Sequence, residues 1–209
     1  MEATTAGSRT ERLKASPPMF ENRWLDKLSR VHPVTPLVIY LPVIAALIAF
    51  ADMSALGIVA AVAGGYVVWT LTEYWLHRVV FHFEPDHPIG RRAHFIIHGV
   101  HHDHPNDPKR LVMPPGASIP LALLFTAVFV LVLGSPLWMP FEAGFLGGYL
   151  IYDMTHYYLH HHRPRSRVGK RLRELHMRHH FQDATTWYGV SAPWWDRVFG
   201  TAAKKGRDS

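Results

Sequence analysis

The stretch HGVHHDHP, residues 98–105, packs four histidines into eight residues, just upstream of Leu111–Phe141, 31 residues without a charge. Imidazoles massed at the edge of an apolar run point to metal, to proton traffic or to chance. Their mid-chain position argues against a purification tag. What these imidazoles bind bears on what the apolar runs on either side are for.

Those runs are long. Val34–Ala51 and Met53–Thr72 are also free of charged residues. A membrane helix needs about 20 predominantly apolar residues, so spans are expected near 34–51, 54–75, 115–134 and 138–158. The last is the weakest, with Asp153 inside it and Glu142 near its start. No basic–apolar–cleavage pattern opens the chain, so no removable signal peptide is expected. The chain has no cysteine, which excludes disulfides, thiolate ligands and cysteine nucleophiles.

The 22 Lys and Arg residues separate by position. Residues 1–33 hold six, the segment from His77 to Pro114 five, and the tail after His156 eleven. The short connections near Asp52 and Pro136 hold none. Positive residues stay cytoplasmic, so both termini and the central segment are expected on the cytoplasmic side. That membrane is a bacterial inner membrane or the endoplasmic reticulum. The spans already account for the basic residues, so a nucleic-acid partner is not expected.

Residues 1–18 are polar and are expected to form a disordered tail. Met19, Phe20, Trp24, Leu25, Leu28 and Val31 recur at helical spacing, which predicts an amphipathic helix over 19–33. Such a helix either lies in the membrane interface or packs on the core. Gly64–Gly65, Gly144 and Gly147–Gly148 offer small faces for close helix packing. Trp194 and Trp195, in PWWDRVF, suit an interface anchor or the core of a cap.

Fifteen of the 16 histidines fall in two blocks, 77–104 and 156–180. Both lie on the expected cytoplasmic side, although Lys and Arg alone set that topology. The spacings are ordered. His77 and His82 form H-x4-H. His98, His101 and His102 form H-x2-H-H, as do His176, His179 and His180. His156 and His160 form H-x3-H. On a helix, offsets of three and four share a face, so each such group aims two or three imidazoles at one point. H-x4-H fits one face less well and is expected to straddle a helix end. A pH sensor needs one or two histidines. Ten exceed one metal's coordination and suit two. A purely structural zinc site would close with four ligands.

Metal-bound imidazoles usually pass their other N–H to a carboxylate or carbonyl. Glu73, Asp103, Asp153 and Asp183 stand at suitable spacings to serve as such partners. Asp153, the most apolar in its surroundings, is either functional or a carboxylate facing interfacial water. His94, four before His98, is a further ligand or donor candidate. His104–Pro105 marks a helix end.

EYWLHRVVFH (73–82), HGVHHDHPNDPKRLVMPP (98–115), YDMTHYYLHH (152–161) and HMRHHFQD (176–183) together resemble the fatty acid hydroxylase superfamily of membrane di-iron proteins. The closest likeness is to fatty acid 2-hydroxylases, and YGVSAPWWDRVFGT (188–201) extends it. The resemblance implies an all-α integral membrane protein over 34–209. Its four-helix transmembrane bundle would carry a cytoplasmic helical cap, 77–114 and 156–201, holding a histidine-rich dimetal centre. It implies as ligands His77, His82, His98, His101, His102, His156, His160, His176, His179 and His180. It implies two iron ions and dioxygen as co-substrate, and a membrane lipid oxidised next to the acyl carbonyl, as a free fatty acid or within a ceramide.

The physics is compatible with that chemistry. Imidazole accommodates iron as well as zinc; zinc has no redox chemistry and would be a stand-in in a purified sample. No protein nucleophile is expected beyond the metal centre. Arg110 is a candidate for the substrate headgroup, or an interfacial arginine whose stem lies along apolar surface. The 33 residues before the first span are too few for the haem-binding domain of many relatives. Electrons are therefore expected from a separate cytochrome- or ferredoxin-type donor with its reductase. The alternatives are a carotenoid or sterol oxidase of the same superfamily, and a histidine-rich metal transporter or metal-binding protein. A transporter would need polar residues deep in several spans, and the first three spans are nearly free of them.

Overall fold

The N-terminal segment holds two short helices, α1 (Arg9–Lys14) and α2 (Arg23–Leu28), in a computed structural model that describes residues 8–203. Residues 1–7 of the expected tail, and the final six with Lys204, Lys205 and Arg207, lie outside the described residues. The rest of that tail contains α1. The Ser8 hydroxyl and the Glu11 carboxylate cap α1 reciprocally, which satisfies two otherwise orphaned N–H groups. The expected helix over 19–33 shrinks to α2. Asn22 accepts from the N–H groups of Trp24 and Leu25 and starts the helix there. Met19 and Val31 are buried outside it, while Trp24, Leu25 and Leu28 point outward.

Helix α3 (Thr35–Ala49) leads to α4 (Ala55–Trp75), which runs on without a break as a π-helix, Leu76–Phe81. Helix α5 (Pro88–His94) passes through a second π segment, Phe95–Gly99, into α6 (Val100–Asp103). The long helices α7 (Pro115–Leu133) and α8 (Trp138–His161) follow, then α9 (Arg167–Phe181) and α10 (Trp194–Val198). Among the described residues there is no strand.

Two helical runs, Ala55–Phe81 and Pro115–Leu133, are long and apolar enough to cross a membrane. Only 11% of the most apolar window of α7 is buried. Leu131 and Val132 stand 85% and 74% exposed. A helix that is apolar all round and still uncovered suits lipid rather than water, as in a membrane protein. Helix α3 is apolar but has 15 residues, about 22 Å of helix. Helix α8 differs from the other long helices: it is buried along most of its length and carries Glu142 and Asp153 inside.

Helices α4 and α8 form the centre. A Cβ at Gly65 would lie 1.9 Å from the Phe141 carbonyl oxygen, and one at Gly144 2.0 Å from that of Val62. The two backbones therefore touch, which only glycine permits. Gly147 meets nothing, so the close face is Gly65, Gly144 and Gly148. Trp69 seals the next turn with edge-on contacts to Phe145 and Tyr149. This contact holds the end of α4 that carries His77 against the end of α8 that carries His156.

Candidate metal centre

The π turn explains the spacing that fitted an α-helix poorly. The His82 N–H donates to the His77 carbonyl at 3.2 Å, an i→i+5 bond. Positions five apart then share a face, and the two Nε2 atoms stand 3.2 Å apart. His77 lies inside the π segment and His82 is the residue that ends it, so the pair straddles the helix end as its spacing predicts.

The ten histidines singled out by spacing converge in two groups of five. His77, His82, His98, His102 and His179 form one; His101, His156, His160, His176 and His180 form the other. In each, one nitrogen per ring lies within 4.8 Å of all the others. The expectation that each H-x2-H-H serves one point is corrected. His98 and His102, four apart, join the first group, while His101 between them turns to the second. On α9, His176 and His180 join the second group and His179 the first. A spacing of four keeps a face, whereas the intervening residue points about one-third of a turn away. Helices α6 and α9 thus bind the groups together, and the His102 and His180 rings stack at 4.2 Å.

Each group could hold a metal ion, and several observations fit one. In the first group the Nε2 atoms of His77 and His98 are 3.1 Å apart, and those of His179 and His82 2.9 Å. Two imidazole nitrogens at right angles about 2.1 Å from one metal would stand about 3.0 Å apart. In the second, His160 and His176 bring Nε2 atoms to 2.8 Å. Nε2 of His101, Nε2 of His156 and both ring nitrogens of His180 are buried without a hydrogen-bond partner. Buried polar atoms are rarely left so. The first group is also oriented from behind. His77 Nδ1 lies 2.6 Å from the Tyr188 carbonyl, and His179 Nδ1 2.6 Å from that of Thr186. A carbonyl only accepts, so each Nδ1 carries the proton and each Nε2 presents a lone pair. Burial pushes His82 and His101 down to about 3, and nearby imidazoles add to the effect. It pushes His179 down to about 4 despite the Thr186 carbonyl. The neutral ring is the form that ligates.

Three of the four carboxylates have other partners. Glu73 accepts from the Ser191 N–H at 2.7 Å and from its hydroxyl. Asp153 accepts from Tyr149 at 3.1 Å. Asp183 is exposed and caps Thr185, and Asp103 is exposed. No hydrogen bond joins any of the four to a histidine among the described residues; carbonyls take that part for His77 and His179. His94 is half-buried beside Gly99 and belongs to neither group. Arg110, the headgroup candidate, lines the cavity described below and already has protein partners. Its side chain, 2% exposed, pairs with Asp26 at 2.8 Å and donates to the Pro17 carbonyl. His104 ends α6 as expected, with Nδ1 against the Arg12 carbonyl.

Spacing did not reveal the segment behind the first group. Asp196, fully buried, accepts from the N–H groups of Tyr188 and Gly189 at 2.8 and 2.9 Å and from the Thr201 hydroxyl at 2.8 Å. Its signal was being the only carboxylate between Trp187 and Phe199.

A cavity of about 360 Å³ opens onto both groups. His98 lines it from the first, His101 and His156 from the second. Most of the remaining lining is apolar: Leu76, Val80, Ile96, Leu111, Met113 and Leu121 contribute to it. A long hydrocarbon with one polar end fits such a wall.

Residues 62–201 match the model of the fatty acid hydroxylase family. The chain belongs to that family. It is 38% identical over 201 residues to the dihydroceramide fatty acyl 2-hydroxylase FAH2 of Arabidopsis thaliana, covering 90% of this chain and 84% of that one. It is 38% identical to the ceramide very long chain fatty acid hydroxylase SCS7 of Saccharomyces cerevisiae, over 90% of this chain and 50% of the relative. The human fatty acid 2-hydroxylase matches at 39% identity over 66% of this chain and 38% of its own. The chain therefore spans half or less of the length of these last two relatives. A solved structure described as full-length scs7p, with only the hydroxylase domain visible, superposes with a TM-score of 0.82 at 34% identity. It covers 91% of this chain and 73% of that one.

Proposed function

We propose that this fatty acid hydroxylase family member inserts one oxygen atom of dioxygen into the C–H bond next to the carbonyl of a long acyl chain, free or amide-linked in a ceramide-type lipid. The observation that carries the proposal is the apolar cavity whose polar end is built from His98, His101 and His156, histidines of both groups. The names of the relatives, ceramide and fatty acyl 2-hydroxylases, support the position and the substrate class.

The ten histidines would hold two iron ions. When bound, such a pair supplies what no side chain can, the reduction of dioxygen and the cleavage of an unactivated C–H bond. The chain's own residues bind and orient. The carbonyls of Tyr188 and Thr186 fix the tautomers of His77 and His179. The cavity wall excludes water and holds the hydrocarbon with its polar end towards the imidazoles. Hydroxylation, RH + O2 + 2e− + 2H+ → ROH + H2O, requires two electrons. A separate cytochrome- or ferredoxin-type protein with its reductase would supply them.

In this reading α3, α4, α7 and α8 span the membrane as four helices. The imidazole cap and both termini face the cytoplasm, as the Lys and Arg distribution predicts. The test is expression in a host lacking 2-hydroxylated lipids, with iron and a working electron donor, followed by lipid mass spectrometry. New 2-hydroxyacyl species are expected. Their absence from cells whose purified protein carries two irons per chain would rule the activity out.

A further inference from the structure

One wall of the cavity comes from outside the residues that match the family model. The matched residues begin at 62, yet Met19, Phe20 and Ser29 line the cavity beside Leu111 and Met113. Met19 is buried, 5% exposed, and Phe20 is half-buried. This strap is fastened by its backbone. The Met19 N–H donates to Asp26 at 2.6 Å, and the Met19 carbonyl accepts from the Arg92 guanidinium of α5. Arg110, itself on the cavity wall, grips the strap at Pro17 and Asp26. Ser16 donates to Asp107, and the Val31 N–H to the Lys109 carbonyl at 2.7 Å. Two separate stretches of the cap, α5 and residues 107–110, thus hold the strap against the site.

We propose that Met19 and Phe20 are specificity-determining residues: they close the lipid cavity, and their bulk selects which acyl chains reach the imidazoles. The identity of those chains rests on the hydroxylase reading above; the wall itself does not. Apolar side chains offer a hydrocarbon no hydrogen bond, so they discriminate by cross-section alone. A wall fastened at its backbone does not yield to a misfit, so the misfit is expressed as lost binding. Oleoyl and stearoyl chains have the same length, but the cis double bond bends the first. Enlarging the wall should exclude the bent chain first.

Two measurements test this. The chain has no cysteine, so Phe20→Cys gives a single thiol. Vesicles containing an N-acyl dihydrosphingosine should slow its alkylation by maleimide severalfold relative to vesicles without it. Met19→Trp should lower oleoyl turnover relative to stearoyl turnover on the order of tenfold, at unchanged metal content, and Met19→Leu should restore the ratio. Alkylation indifferent to the lipid, or equal loss on both substrates, would overturn the proposal. Lipid protection without any hydroxylated product would uphold the wall and sink the hydroxylase reading instead.

Discussion

The main-chain carbonyl of Tyr188 accepts the Nδ1 proton of His77 at 2.6 Å, across 111 positions of sequence. The carbonyl is placed by a small network. Asp196 gathers the Tyr188 and Gly189 N–H groups. Glu73, one helical turn before His77, holds Ser191. Trp195 donates to Thr70 on the same helix at 3.1 Å. The C-terminal segment is thus a clamp on the end of α4, and its product is the orientation of one imidazole.

That clamp should fail at Asp196. Asp196→Ala leaves two buried N–H groups without an acceptor, at about 1–3 kcal/mol each. Thermal unfolding of the metal-free protein should shift down accordingly. A chelator should then strip the first ion, from the group of His77, faster than from the parent protein. Asp196→Asn keeps one acceptor oxygen and should fall between the two. Unchanged release kinetics in Asp196→Ala would show that the Tyr188 carbonyl does not orient the ring.

Adjacent histidines should control different ions. His101 belongs to the second group and His102 to the first. His101→Ala and His102→Ala should each reduce bound metal from about two ions per chain towards about one, and the double variant towards none. Metal content by plasma mass spectrometry reads this directly. A single variant that loses both ions would mean one shared site rather than two.

How much of this centre was legible in the sequence follows from the same geometry. Residues four apart on one helix were readable, and His98/His102, His156/His160 and His176/His180 do fall into the same groups. His101 and His179 were assigned to the wrong neighbours, because three- and four-residue offsets look alike until a second helix stands on the other side. The π turn under His77 and His82 left its spacing as a trace, but α-helical periodicity cannot express it. Orientation by the Tyr188 and Thr186 carbonyls was invisible, since a carbonyl belongs to every residue type. The strap was misread as a single helix because Met19 is held by Arg92, 73 residues away, and periodicity carries only local information.

The contact of α4 with α8 gives a paired prediction. A side chain at position 144 would meet the Val62 backbone, with its Cβ 2.0 Å from the carbonyl oxygen, and backbone cannot move aside without separating the helices. Gly144→Val should therefore cost more than the 1–3 kcal/mol typical of overpacking, seen as loss of monodisperse protein in detergent. Gly147, three residues on, faces open space. Gly147→Ala should leave thermal stability within about 0.5 kcal/mol. If both variants behave alike, the helices do not meet through this face.

Topology follows from charge and can be read with single thiols, because the chain has no cysteine of its own. Ser54 and Ser135 are exposed at the two connections that lack Lys and Arg, whereas Asp86 is exposed within the basic segment between α4 and α7. Moving one basic loop across the bilayer would oppose the bias that keeps Lys and Arg cytoplasmic. Ser54→Cys and Ser135→Cys should therefore react with a membrane-impermeant maleimide added on the non-cytoplasmic side, and Asp86→Cys only after the cytoplasmic side is opened. Labelling of Ser54→Cys from the cytoplasmic side alone would mean that α3 and α4 do not each cross, and would reduce the four spans to the two runs, Ala55–Phe81 and Pro115–Leu133, whose length and composition suffice by themselves.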